Sequence, residues 1–303
     1  VNGGVLVLAG ATASGKSELA VELARTFGAE IVGADSRQIY RGMDVGTAMP
    51  SQAQLAAVPH HLVGFLDPYE RYSAARYVDD AMAAIDGIGK RGRRAIVTGG
   101  TGFYLRALLG RVDLAPQYDE ALRDRLAAEA HVHPPEFLHG WLALRDPRRA
   151  EALDPMDTYR VLRALEVVLC HPERSEAESK GRRNFANASI RALLVFLDVP
   201  LDVLDERIAR RADAMLASGF VEEAERVGGG AVAATAVGYP QALAYARGWS
   251  TRAELRALLV RATRRYARRQ RAWFRGERET LWLPPEAVER VARENLGWLP
   301  KPP

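Results

Sequence analysis

Val5-Leu6-Val7-Leu8-Ala9-Gly10-Ala11-Thr12-Ala13-Ser14-Gly15-Lys16-Ser17 is the stretch that decides the fold. The apolar run Val5–Ala9 leads straight into Gly10 to Ser17, which fits GxxxxGK[ST], and an amphipathic helical pattern continues to Thr26. Strand, glycine-rich turn and helix in that order form a phosphate-binding unit. The glycines let the backbone curl until successive N–H groups face one anion. The N-terminus of the following helix adds partial positive charge. Lys16 supplies a full charge, and the Ser17 hydroxyl is placed to hold Mg²⁺. The motif specifies a pyrophosphate-like anion with magnesium. It does not specify ATP.

Working outward, short apolar runs bounded by Gly or Asp recur at Glu30–Gly33, Ala95–Thr98, Leu193–Asp198 and Thr280–Leu283. Helical periodicity fills Ala74–Ile88, Leu201–Leu216 and Glu254–Phe274. Strands alternating with helices predict a P-loop NTPase-like α/β core, a mostly parallel sheet with helices on both faces. About 95 residues separate the third run from the fourth, too many for one connection in a compact domain. The stretch 113–188 is helical in pattern, broken at Pro116, Pro134, Pro135, Pro147 and Pro155. It reads as a helical insertion domain that divides the core into 1–112 and 189–303. Within it, Pro172 to Arg183 is almost devoid of apolar side chains and reads as a mobile loop.

Of the 303 residues, 48% are hydrophobic and 26% charged, the balance of an ordinary soluble protein. No apolar run approaches the length that spans a bilayer, so no membrane role is expected. The N-terminal apolar run has no basic leader or cleavage site and reads as a buried strand. A single cysteine, Cys170, makes no internal disulfide, and a cytoplasmic location is the expectation. Nothing in the sequence calls for an obligate protein partner. Net charge is +4, but eight arginines crowd between Arg261 and Arg278. That density points to a polyanion, or to a solvated arginine-rich helix face.

Two further strand ends carry chemistry. The second reads Asp35-Ser36-Arg37-Gln38-Ile39-Tyr40-Arg41-Gly42-Met43-Asp44-Val45-Gly46-Thr47-Ala48. Strand C-termini line the ligand crevice of a parallel sheet, so Asp35 is expected beside the phosphate loop, either as a catalytic carboxylate or as a turn cap. The third reads Gly99-Gly100-Thr101-Gly102-Phe103-Tyr104, where glycines allow close approach of a ligand or a tight turn. Asp198, at the end of the fourth run, has the position of a kinase's magnesium-organising carboxylate. A helix with Arg207, Arg210 and Arg211 follows it. On these residues a small nucleotide kinase competes with other phosphate-binding enzymes. The arginines alone would also fit a non-catalytic RNA-binding module.

The ordered set GATASGKS, ADSRQIYRGMDVGTA, PHHL, YSAARY, GGTGFYLRALL, YRVLRALEV, MLASGFVEE, AVGYPQAL and TRRYARRQRAWFR closely resembles the tRNA dimethylallyltransferase (tRNA isopentenyltransferase) family. The resemblance runs from Leu6 to about Leu283 and is to the bacterial type, without the C-terminal zinc finger of eukaryotic members. It implies dimethylallyl pyrophosphate as donor, Mg²⁺, and adenosine-37 in the anticodon stem-loop of tRNA as acceptor. The activity would be transfer of the dimethylallyl group to the N6 amine, releasing pyrophosphate. By that resemblance Gly10, Ala11, Thr12, Ala13, Ser14, Gly15, Lys16 and Ser17 hold pyrophosphate, with Arg207 and Arg211. Thr12 reaches into the active site, Asp35 is the catalytic carboxylate and Thr101 meets the target nucleotide. Ser36, Arg37 and Gln38 contact tRNA beside Asp35. So do Arg123, Tyr159, Arg160 and Arg163 in the insertion domain, and Gly238 and Tyr239. In the basic helix Arg264, Arg268 and Arg271 are expected to track RNA phosphates. Three positions depart from the family pattern. Ala11 replaces a proline, Met49 a lysine, and Pro240 a basic or polar residue.

Overall fold

Successive side chains of a strand point to opposite faces of its sheet, so the run Val5–Gly10 (β1) sends Leu6 and Leu8 one way and Val7 and Ala9 the other. Every residue of β1 is buried, as expected of a strand covered on both faces. A computed structural model of the chain describes residues 4–112, 114, 119–170 and 190–300. In it β1 pairs in parallel with Arg94–Gly99 (β4) on one side and Ala192–Leu197 (β5) on the other. Ala29–Gly33 (β2), His60–His61 (β3) and Leu281–Leu283 (β6) complete a six-stranded parallel sheet ordered β3-β2-β4-β1-β5-β6.

One face is covered by Lys16–Phe27 (α1) and Val288–Leu296 (α14). Ala20, Leu23, Ala24 and Phe27 join Leu6, Leu8, Ile31, Ile96, Val195, Leu197, Val288, Ala292 and Trp298 in one apolar cluster. Trp298 meets Phe27 edge-on, with ring centroids 5.4 Å apart. Against the other face lies the 24-residue helix Arg252–Arg275 (α13), whose Phe274 packs on Phe196 of β5 at 5.0 Å. Thr251 and Glu254 form a capping box that starts α13. Ala74–Lys90 (α4) starts on a Ser73 cap and buries Tyr77, Ala81, Ile85 and Ile88.

By contact density the chain divides into two units, Val112–Asn187 and the remainder. The smaller unit is helical among its described residues: Glu120–Val132 (α6), Pro135–Arg145 (α7), Pro147–Glu151 (α8) and Thr158–Cys170 (α9). It has its own core of Leu126, Leu138, Leu142, Val161 and Leu165. Pro135 and Pro147 each occupy the first turn of a helix, where a missing N–H costs nothing. The stretch Pro172–Arg183, read above as a mobile loop, lies outside the described residues, as does Pro116.

The connection after β2 folds back through a short helix, Asp44–Thr47 (α2), and docks on Phe220–Val227 (α11) and Tyr239–Ala246 (α12). One buried carboxylate makes the joint. Glu223 Oε2 accepts the Val45 N–H and Oε1 the Gly46 N–H, each at 2.8 Å, while Tyr239 Oη donates to Oε1 at 2.7 Å. Gly46 has no side chain because a Cβ there would strike the rings of Phe220 and Tyr239. Replacing Glu223 by Ala leaves three donors in an apolar setting. The expected loss of folding stability is roughly 3 kcal/mol, read from denaturant midpoints. A loss under about 1 kcal/mol would mean that water satisfies the donors in its place.

Candidate active site

The phosphate loop leaves β1 at the centre of the sheet and curls through two left-handed residues, Ala13 at φ 65° and Gly15 at φ 86°. At Ala13, a residue with a Cβ, that conformation costs of order 1 kcal/mol. Helix α1 begins at Lys16, so its unpaired N–H groups point to the loop's hollow. Arg207 and Arg211 project from Leu201–Ala217 (α10). They divide the work. Arg207 Nη1 donates to the loop carbonyls of Ser14 at 3.3 Å and Ala13 at 3.5 Å, which holds the loop from outside. Arg211 Nη1 donates to Thr12 Oγ1 at 3.2 Å and lines the cavity itself.

The second strand end completes the hollow. Asp35 Oδ1 accepts the N–H of Arg37 at 2.9 Å and of Gln38 at 3.4 Å. Asp35 therefore does cap its own turn, and it also faces the cavity. Gln38 Nε2 donates to the carbonyls of Ala48 at 2.9 Å and Thr47 at 3.1 Å, tying this loop to α2. The third strand end is held closely. Thr101 Oγ1 accepts the Ser36 N–H at 2.9 Å, and the Thr101 N–H donates to Ala34 O at 3.2 Å. The glycines at 99, 100 and 102 are explained by packing. A Cβ would collide with the Ala34 backbone, the Gln270 amide and the Trp273 ring respectively. The close approach they permit is to these groups.

The result is a cavity of about 280 Å³, smaller than most drug-sized sites. One end carries Thr12, Lys16, Arg211 and Asp35, and Met215, Ala236 and Val237 give it an apolar wall. Tyr266, Arg269 and Gln270 of α13 close it. Burial holds the Lys16 ammonium below the ordinary lysine range. Asp35 pulls it back up, Arg211 presses it down and Glu18 raises it. Arg211 is lowered in the same way, by burial first, against the pull of Asp35 and Glu18. Burial, then the Asp35 charge, push the Tyr266 phenol up, so it stays protonated. Lys16, Arg211, Arg37 and Arg269 against one lining carboxylate leave the site short of negative charge, the condition an anionic ligand relieves.

Among the described residues no three His, Cys, Asp or Glu side chains gather to hold a metal. The side-chain oxygens at the loop are those of Thr12, Ser14 and Ser17, with Asp35 beside them. Few protein ligands suit an ion that arrives on phosphate oxygens and keeps several waters.

Several expected site residues are employed elsewhere. Tyr239 is fully buried, its ring edge-on to Phe220 at 5.2 Å and its hydroxyl bound to Glu223, so its side chain cannot meet RNA. Gly238 serves the backbone. Its φ is 99°, and a Cβ would press on Leu259 and Phe220. Pro240 follows in the first turn of α12, where it is tolerated. Arg264 pairs with Asp205 at 3.3 Å, and Arg271 with Asp198 at 2.9 Å and the Val199 carbonyl. Arg268 also reaches Asp205, at 3.4 Å, but remains exposed. The open face of α13 carries Arg261, Arg265, Arg268, Arg269 and Ala272, which line a shallow groove. That spacing is one helical stripe. In the helical unit, Arg123 and Arg163 flank the buried Glu166 at 3.4 and 2.7 Å. Arg160 pairs with Asp157 at 2.9 Å, and Tyr159 is exposed. Asp198, the kinase-like candidate, is exposed, bound to Arg271 and outside the cavity. Motif spacing does not single out Gln270, Met215 or Glu223, and Tyr266, an aromatic of the basic helix expected to stack on bases or pack internally, lines the cavity. Each falls within a segment that resembles the family, but only the fold gives it partners.

The "IPP transferase" family model matches residues 38–277, and an "Isopentenyl transferase" model matches 3–61. A tRNA dimethylallyltransferase of Anaeromyxobacter sp. (strain K) is 45% identical, with 99% of this chain and 98% of the relative aligned. One from Acidothermus cellulolyticus is 42% identical over 97% and 94% of the two chains. The crystal structure of a tRNA isopentenylpyrophosphate transferase from Bacillus halodurans matches with a TM-score of 0.69 at 32% identity, covering 97% of each chain. A eukaryotic dimethylallyltransferase solved acting on tRNA matches at 0.74 over 97% of this chain and 76% of that one. At 24% identity that likeness concerns the fold alone.

The lowered Lys16 sets a pH dependence. An anion binds the ammonium form and raises its pKa, so affinity is full below the free-protein pKa and falls as pH rises through it. That pKa lies below the ordinary 10.5, so the loss begins earlier than for an exposed lysine. Calorimetric titration of inorganic pyrophosphate into wild type and Lys16→Arg cancels the ligand's own ionisation. The ratio of wild-type to variant affinity is expected to fall with alkaline pH; a constant ratio would remove Lys16 from the anion site.

Proposed function

The chain belongs to the IPP transferase family, and from that starting point we propose that it transfers a dimethylallyl group from dimethylallyl pyrophosphate to the N6 amine of adenosine-37 in the tRNA anticodon loop, releasing pyrophosphate. The observation that carries the proposal is the meeting of Lys16 and Arg211 with Asp35 in one small, partly apolar cavity. The loop N–H groups not engaged within the fold, with Lys16 and Arg211, hold the pyrophosphate and stabilise the charge that grows on it as the allylic C–O bond breaks. Arg207 keeps the loop in shape rather than meeting the anion directly. The adenine amine is a poor nucleophile because its lone pair is delocalised. Asp35 accepts its proton as the C–N bond forms. The target base leaves its stack to enter the cavity, which Tyr266 and the apolar wall keep dry. Ser17 would help to hold Mg²⁺ beside the pyrophosphate, and the ion would supply Lewis-acid stabilisation of the leaving group.

A nucleotide kinase is disfavoured, since Asp198 is neutralised by Arg271 away from the cavity. The exposed arginine stripe of α13 supplies a phosphate-tracking face for tRNA. Among the described residues no helix is long and apolar enough to cross a membrane. The deciding experiment incubates unmodified tRNA with dimethylallyl pyrophosphate and Mg²⁺, then digests the RNA and looks for prenylated adenosine. Phosphoryl transfer from ATP to a nucleoside monophosphate, with no prenylated product, would overturn the reading.

Asp35→Asn separates the two roles of that residue. Asn keeps an oxygen for the Arg37 and Gln38 N–H groups but takes no proton. Donor and tRNA affinities should stay within about tenfold, ~1.4 kcal/mol. Single-turnover chemistry should slow by roughly 10² or more. Near-wild-type chemistry would leave Asp35 as a turn cap only.

The two faces of α13 should also part. Changing Arg261, Arg265 and Arg269 together to Gln should lower the slope of log tRNA affinity on log salt by roughly 0.7 to 0.9 for each RNA phosphate that is no longer neutralised. Changing Arg264 and Arg271 should lower thermal stability and leave the slope intact. Equal slopes in wild type and the first variant would mean that the stripe does not meet RNA.

A further inference from the structure

Gln270 is the one α13 residue whose side chain reaches both the phosphate loop and the β4 loop. It follows the exposed Arg269 yet is only 5% exposed. Its Oε1 accepts the Thr12 N–H at 2.8 Å, and its Nε2 donates to Gly100 O at 2.9 Å. The orientation of the amide is fixed by its partners, since one is a donor and the other an acceptor. From Thr12 a hydrogen bond continues to Arg211. From Gly100 the chain passes to Thr101, whose hydroxyl holds Ser36 beside Asp35. One side chain thus spans the anion-holding loop and the loop that braces the carboxylate.

We infer that Gln270 is a positioning residue that sets the distance between the pyrophosphate anchor and the Asp35 carboxylate; the inference rests on the prenyl-transfer reading above. An amide supplies one donor and one acceptor on a short, planar group. An ionised Glu has no donor for Gly100 O, and an apolar side chain has neither group. Gly100 is the complement. A Cβ there would collide with Gln270 Nε2, so the loop comes as close to the amide as a backbone can. Reacting groups held at a fixed separation gain rate from geometry, and a misplacement near 1 Å costs on the order of 10²-fold. Gln270 is buried, off the exposed arginine stripe, and its amide is taken up by the two loops. Its effect therefore falls on the chemical step rather than on RNA docking.

The test uses five proteins: wild type, Gln270→Ala, Gln270→Glu, Gly100→Ala and the Gln270→Ala/Gly100→Ala double variant. Gln270→Ala should lower the single-turnover rate at saturating donor and tRNA by roughly 30- to 100-fold. Its pyrophosphate affinity and the salt slope of tRNA binding should stay within about threefold of wild type. Gly100→Ala should lose both rate and thermal stability through its clash with the amide. Adding Gln270→Ala to it should restore much of the stability but not the rate, the non-additivity expected of contacting residues. Gln270→Glu keeps the acceptor for Thr12 but sets an oxygen against Gly100 O, and should also be slow. A wild-type rate in folded Gln270→Ala, or a rate loss no larger than its loss of folded protein, overturns the inference. A wild-type protein that prenylates no tRNA instead overturns the functional reading on which it stands.

Discussion

Backbone hydrogen bonding of β1 to β4 on one side and β5 on the other is the constraint on which the site depends. Parallel pairing brings the C-terminal ends of neighbouring strands to the same edge of the sheet. The phosphate loop after β1 therefore lies beside the loops after β2 and β4, although their residues are tens of positions apart in sequence. Hydrogen bonds then lock these loops together: Thr101 to Ser36, Thr101 to Ala34, and Gln270 to both Thr12 and Gly100. The glycines of the β4 loop follow from the same crowding, since each sits where a methyl group would meet packed atoms.

The electrostatics of the cavity follow from burial. Lys16 and Arg211 share a partly apolar cavity with a single lining carboxylate, and burial is the largest influence on both. A site arranged in this way favours a multiply charged anion, because the ligand lowers the cost of keeping two cations close. The apolar wall of Met215, Ala236 and Val237 gives the same cavity room for a short hydrocarbon group. A pyrophosphate ester of a small alkenyl group combines those two characters.

Helix α13 shows how a local charge run acquires separate duties. Its length allows several faces. One, with Leu255, Leu259, Ala267 and Phe274, is buried. A second holds Arg264 and Arg271 against the carboxylates of Asp205 and Asp198. A third presents Arg261, Arg265 and Arg269 to solvent. The ion pairs of the second face neutralise charge within the fold, so the polyanion-binding capacity of the helix is smaller than its arginine count suggests. Burying Gln270 between these faces places the exposed Arg269 one residue from the amide that joins the two cavity loops.

Local pattern sufficed for much of this. The strands at Val5, Ile31, Ile96 and Val195, the helices starting near Ser17, Ala74, Leu201 and Arg252, and the phosphate loop all announce themselves through periodicity and glycine placement, which are properties of near neighbours. The two-residue strand His60–His61 and the helix Val288–Leu296 went unread. The first is too short to show alternation. The second takes its place only because Val288, Ala292 and Leu296 find the far face of the sheet. Side-chain partnership was also beyond the sequence. Tyr239 and Tyr266 are both tyrosines in conspicuous motifs, yet one binds Glu223 in the interior and the other lines the cavity. Which arginine of α13 meets a carboxylate, and which glutamine joins two loops, depends on residues distant in sequence. Sequence determined the elements and the anion-binding loop because those rest on short-range sterics and hydrogen bonding. Tertiary structure alone decided which polar groups were left facing the cavity, because that depends on which distant partners had already claimed the rest.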